Sequence, residues 1–303
     1  MALEKEIWKK FIQGNLYRNN EFLLRSFDAS ENVLAGKVVH LPQAGAASGV
    51  VKNRTTLPAT VNRRSDTEVT YVLDEYTSNP ILIPNIETIQ YSYDKRESVL
   101  KEDMAIIRQL FAEWMLRTWA PTTAAQILRT TGAATVGKAS GVTTNRKAFV
   151  KEDLKSARTR LNNQDIPLED RVALIPSDMM DTLLDDPDLK RRDSSMELDM
   201  RGGVVTRLYG FDLMERSRTQ VYGDAGTPTA KDPDAVAAGT DHASVLCWQS
   251  SMVERAVGTI DMFERLGDPQ YFGDIYSFLT MMGGRQRRGD GKGIVAIVEA
   301  NAP

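Results

Sequence analysis

Four basic side chains crowd the stretch GGRQRRGDGKG (283–293): Arg285, Arg287, Arg288 and Lys292. Such a cluster can hold a phosphate. The usual loop needs Gly, four residues, then Gly-Lys-Ser/Thr between a strand and a helix. Counted back from Lys292, the first glycine falls on Gln286, and Gly293 stands where Ser or Thr belongs. The run that follows, Ile294-Val295-Ala296-Ile297-Val298, is β-branched and reads as a strand, so no helix N-terminus is there to receive an anion. The reading favoured is a hairpin with a basic tip, Tyr276–Met282 against Ile294–Val298.

A second cluster is acidic: Asp181, Asp185, Asp186, Asp188 and Asp193 in and around LLDDPDLKRRDSS. Convergent carboxylates suit a hard cation. Pro187 interrupts the helix that would align them, so the pattern reads as an acidic helix end followed by a solvated turn, Lys190-Arg191-Arg192. No metal or cofactor is expected. His40 and His242 are the only histidines and have no ligand or nucleophile partner at useful spacing. Cys247 is the single cysteine; Val245-Leu246-Cys247-Trp248 marks it as core, and one thiol closes no internal disulfide. RGGVVTRLYGF lacks the further glycine of a dinucleotide loop and reads as a β unit turning at Gly210.

The 303 residues are 42% apolar, enough for a sizeable core, and a net charge of -3 does not suit a nucleic-acid clamp. No apolar run reaches membrane-span length, and MALEKEIWKKFIQ lacks a signal-peptide core, so a soluble protein made in the cytosol is expected.

The elements that carry these residues read as follows. Leu3–Phe27 has an apolar stripe at helical spacing, broken by Gly14, and needs another surface. Val38–Leu41 is a strand ended by Pro42. Residues 34–92 form an extended, proline-punctuated hairpin with Lys52, Arg54, Arg63 and Arg64 and little core of its own. Leu100, Met104, Ile107, Phe111 and Trp114 step by four and three along a helix from Asp94, its cap, to Ala120. Thr122–Thr130 is a short helical piece and Gly132–Thr144 a flexible run. Lys151–Asn162 is a helix, Arg171–Pro176 a strand, and Ser177 caps a helix to Leu184. His242–Trp248 is a strand and Ser250–Ala256 a short helix.

The order of these parts resembles the major capsid proteins of tailed bacteriophages. YVLDEYTSNPILIPNIETIQYSYDKRESVLKEDM is similar to that family's extended loop passing into its spine helix. VALIPSDMMDTLLDD is similar to the step opening its axial domain, GVVTRLYGFDLMERSR to a strand-turn-strand within it, and MMGGRQRRGDGKGIVAIVEA to its last peripheral strands. The resemblance implies an α+β capsid fold: an N-terminal arm over about 1–35, an extended loop over 36–92, a peripheral domain with the spine helix over 93–149, an axial domain over 150–245 and a return to the peripheral domain over 246–303. It implies hexamers and pentamers closing into an icosahedral shell around double-stranded DNA, assembled in a bacterial cytoplasm. It implies a separate scaffolding protein, since no charged helical prefix is present, with a portal and decoration proteins as further partners. Lys52, Arg54, Arg63, Arg64 and the basic turn would then face a neighbour or the DNA. A cargo-holding compartment of the encapsulin kind, its cargo site shaped by Leu3–Phe27, is the alternative. An enzyme using Asp185, Asp186 and the basic loop is more remote, because its motifs fail on spacing.

Overall fold

The computed structural model describes residues 20–34, 37–43, 49–55, 57–58, 61, 63, 67–84, 95–186, 198–199, 204–205, 207–223 and 226–302. The Leu3–Phe27 stripe up to residue 19, the cap Asp94, Arg64, Asp188, Asp193 and the 190–192 basic turn lie outside them.

The fold is α+β and rests on one eight-stranded sheet. Its centre is β17 (Asp241–Gln249), which runs antiparallel to β10 (Arg171–Pro176) on one side and to β20 (Ile294–Val298) on the other. Every residue of these three strands is buried. Strand alternation divides them cleanly. Val172, Leu174, Leu246, Trp248, Ile294 and Ala296 join one core, while Ala173, Ile175, Val245, Cys247, Val295 and Ile297 join another. The second core is covered by the helices Lys151–Asn162 and Ser177–Leu184 through Leu154, Leu161, Met179 and Leu183. The first is covered by the long helix Lys95–Trp119, through Phe111, Met115 and Trp119. A sheet covered on both faces must be apolar on both, which is why these strands read as unbroken hydrophobic runs.

The edges are shorter. β14 (Phe211–Arg216) lies parallel to β10 and turns through Tyr209-Gly210 from β13 (Arg207–Leu208). β15 (Val221–Gly223) and β16 (Thr229–Ala230) extend the sheet beside β17, and β7 (Ile127–Arg129) lies parallel to β20. The small pair β11 (Leu198–Asp199) and β12 (Val204–Val205) stands apart.

A second, five-stranded sheet is built on a long ribbon: β18 (Val253–Asp268) antiparallel to β19 (Gly273–Gln286). β5 (Asp74–Thr77) and β6 (Ile81–Pro84) pair with β19, and β1 (Phe27–Asp28) pairs with the start of β18. Three elements therefore depart from the sequence reading. Ser250–Ala256 is a 3-10 turn over Ser250–Met252 and then strand; Met252, Val253, Ala256 and Val257 mimic helical spacing, but pairing with β19 decides the conformation. The expected hairpin of Tyr276–Met282 with Ile294–Val298 does not form, because β19 takes β18 as partner and β20 joins the other sheet. Gly132–Thr144 is the body of a small hairpin, β8 (Ala134–Val136) with β9 (Asn145–Lys147).

Three smaller corrections follow. Thr122–Thr130 is a 3-10 turn leading into β7. Ser177 is the first helical residue, with Pro176 at the cap position. Pro42 does not end β3 (Val38–Gln43), whose pairing with β4 (Thr67–Val72) continues one residue further.

Candidate intersubunit surface

The hairpin of β3 and β4, extended by β2 (Val33–Leu34), is mounted on little core. Ala29, Val39, Leu73 and Ala256 form a small cluster of their own beneath it. Beyond that mount, the residues placed between its strands are exposed: Val50, Val51, Leu57 and Val61, with Lys52, Arg54 and Arg63 beside them. Val50 and Val61 are almost wholly solvent-accessible. Exposed apolar side chains interleaved with cations suit contact with another surface better than solvent.

The basic turn is built differently from a phosphate cradle. Gly283 and Gly284 lie where the long helix and the hairpin base close on β19. A Cβ on Gly284 would stand 2.3 Å from the Glu254 carbonyl oxygen and 2.8 Å from Met115 Sδ; one on Gly283 would meet Leu73 at 3.0 Å. Gln286 donates from Nε2 to the carbonyls of Trp119 and Ala120, each at 3.0 Å, and so satisfies the open end of the long helix. Arg285 Nε donates to Glu254 Oε1 at 2.7 Å, and Arg287 approaches the other oxygen at 3.6 Å. Arg287 also covers the Phe27 ring at 4.2 Å, and Arg285 the Tyr71 ring at 5.4 Å. Arg288 and Lys292 are the outward pair, and both turn to Asp290, at 3.0 and 3.6 Å. Burial opposes it, but the Lys292 N–H, Arg288 and the two cations hold the Asp290 carboxyl below its usual range.

Glu254, which the sequence reading passed over, is the hub. It is fully buried, and its backbone oxygen accepts from Trp119 Nε1 at 3.0 Å. Burial pushes the Tyr71 phenol up, and the Glu254 charge adds to this. Next to it, Arg255 donates to the carbonyls of Leu23 and Ser26 at 2.9 and 2.8 Å and pairs with Asp28 at 3.0 Å. Phe22 sits edge-on to both Trp119 and Trp248, 6.2 and 6.4 Å between centroids. Residues 20–34, expected within the N-terminal arm, thus dock on their own subunit through Phe22, Leu23 and the Arg255 contacts. The only sequence signal for the hub was a Glu-Arg pair inside an apolar run.

Of the helix residues singled out, Ile107 and Phe111 are buried in the main core and Trp114 packs against it. Leu100 and Met104 lie on the helix, but their side chains are outside the described set. Asp186 pairs with Lys151 at 3.1 Å. Among the described residues, no three His, Cys, Asp or Glu side chains converge as metal ligands, and no helix is long and apolar enough to cross a membrane.

No family model and no curated protein matches the sequence. Solved structures do. The capsid of cyanophage P-SCSP1u superposes with a TM-score of 0.65 at 16% identity, over 92% of this chain and 87% of that one. The chain has the phage capsid fold. The capsid of Ralstonia phage GP4 gives a TM-score of 0.62 at 12% identity over 92% and 88%. The mature capsid of bacteriophage PhiM1 gives 0.60 at 12% over 92% and 86%. The α+β architecture expected from the order of parts is the one found.

Proposed function

We propose that this chain is the major capsid protein of a tailed phage: it assembles as hexamers and pentamers into the icosahedral head that encloses double-stranded DNA. The observation that carries the reading is the superposition of 92% of the chain on a phage capsid subunit. The loop between β3 and β4, with exposed Val50, Val51, Leu57 and Val61, supports it, since a lone subunit leaves that apolar surface in water. The role is structural, and no observation favours catalysis or a cargo compartment.

In this reading, residues 1–35 are the arm, 36–92 the extended loop, 93–149 and 246–303 the peripheral domain, and 150–245 the axial domain. Lys52, Arg54, Arg63 and Arg64 contact a neighbouring subunit or the DNA, as do Arg288 and Lys292 of the basic turn. Arg285 and Arg287 contribute by bracing that turn from below. A separate scaffolding protein, a portal and decoration proteins complete the particle, which is built in the host cytoplasm. Negative-stain microscopy with light scattering, on the protein expressed alone and with a scaffold from its own genome neighbourhood, tests the proposal. Shells or ring-shaped capsomers are expected; a monomer under both conditions would refute it.

A further inference from the structure

The long helix carries an apolar face that the described residues leave open. Ile106 is 66% exposed and Leu110 38% exposed. With Ile107, Tyr76 and Ile81 they line a groove of about 480 Å³ between the helix and the segment joining β5 to β6. The floor of this groove is firm: Ile107 and Tyr76 belong to the main core, and the Tyr76 ring stands edge-on to Phe111 at 6.3 Å between centroids. Each bank carries an exposed acid, Glu75 on β5 and Glu102 one turn before Ile106 on the helix.

The chain itself brings an occupant to this place. Asn20 donates from Nδ2 to the Arg108 carbonyl oxygen at 3.4 Å, so residue 20 meets the long helix on the turn that holds Ile107 and Leu110. Residues 1–19 precede it, outside the described set. The four residues from Leu16 to Asn20 can span up to about 14 Å, more than the ~10–12 Å width of a helix, so the segment can pass from Arg108 to the face of Ile106. At 3.6 residues per turn, Ile7, Trp8, Phe11 and Ile12 share one face, and Lys9 and Lys10 fall on its two flanks, each about 60° beyond the apolar edge. That is the pattern of an amphipathic helix laid in an apolar groove, and here a lysine on each flank matches an acid on each bank.

We propose that residues 3–12 dock as a helix in this groove of their own subunit, with Trp8 and Phe11 against Ile106 and Leu110 and with Lys9 and Lys10 toward the acids of the two banks. Two aromatic side chains seated there would remove about 300 to 500 Å² from water. The exposed ion pairs fix the seating more than they strengthen it. The contact lies within one chain and does not rest on the shell reading.

Thiol labelling tests it. Leu110→Cys in the whole chain should react with a maleimide several-fold more slowly than the same substitution in a chain lacking residues 1–17, and Ile106→Cys should behave alike. Cys247 is fully buried and contributes no background. Trp8→Glu with Phe11→Glu, which keeps the chain's length, should expose Leu110→Cys as fully as the deletion does. Lys9→Glu with Lys10→Glu should speed labelling, and adding Glu75→Lys with Glu102→Lys should slow it again. Phe272→Cys, exposed in the turn between β18 and β19, should react equally in every background. Excess wild-type chain added to the shortened reporter should give no protection. Equal labelling with and without residues 1–17 overturns the contact, as does a slowing that Phe272→Cys shares. Protection supplied by the added wild-type chain overturns it in favour of a neighbour's segment. Each of these results leaves the shell reading to stand or fall on assembly alone.

Discussion

Glu254 and Arg285 form an ion pair at 2.7 Å whose carboxylate is wholly shielded from water. The pair sits where the hairpin base, the long helix and the 20–34 segment all meet the ribbon. A buried charge there is tolerable only because guanidinium groups face it. Replacing Glu254 with Ala should destabilise the fold by about 3 to 5 kcal/mol, as expected when one partner of a buried pair is removed. Glu254→Gln keeps the shape and should cost less. Thermal unfolding of both variants checks this; equal melting temperatures for Glu254→Ala and the wild type would contradict the hub.

Gly284 should tolerate no side chain. Its added Cβ would meet the backbone oxygen of Glu254, which cannot rotate away. Gly284→Ala should cost about 1 to 3 kcal/mol or more through overpacking. Gly283→Ala meets the tip of Leu73 first and should be milder. Denaturant midpoints rank the two, and the reverse order would refute the close approach.

Glu299 gives the fold a pH dependence of known sign. It is buried and accepts the N–H groups of Lys138 and Ala243 at 2.9 and 3.0 Å, yet burial dominates and raises its pKa above the usual value. A carboxyl whose folded pKa is raised stabilises the fold when protonated. That contribution is full below the unfolded pKa and is lost as pH rises through the folded one. Glu299→Gln does not titrate. The wild type should therefore lose stability relative to the variant as pH is raised from about 4 to about 7, starting near the ordinary glutamate value. Parallel melting curves across that range would contradict it.

The loop cations should matter to assembly and hardly at all to folding. Lys52, Arg54 and Arg63 are exposed. Reversing all three to Glu should leave stability within about 0.5 kcal/mol per site while lowering particle yield severely. Arg288→Glu with Lys292→Glu should act alike, whereas Arg287→Glu would set a carboxylate beside Glu254 and weaken the fold itself. Circular dichroism and particle counts separate these effects; unchanged particle yield with the triple reversal would remove the loop from the interface.

Local pattern revealed the helices and the buried strands. Lys151–Asn162 and Arg171–Pro176 were legible to the residue, because helical spacing and an unbroken apolar run are properties of the segment itself. The ribbon was not. Val253–Val257 has helical spacing, and only a partner strand more than twenty residues away makes it extended. The candidate surface divides along the same line. Exposed cations on a loop are visible in composition, but Glu254 shows its role only once Arg285, Arg287 and Tyr71 are folded around it.

In the proposed icosahedral shell, the loop between β3 and β4 lies on a neighbouring subunit. Cryo-electron microscopy of particles assembled from the whole chain is the decisive measurement. Icosahedral particles are expected in which density for residues 49–63 lies against an adjacent subunit. Particles in which that loop contacts only its own subunit, or a chain that never assembles with its scaffold, would contradict it.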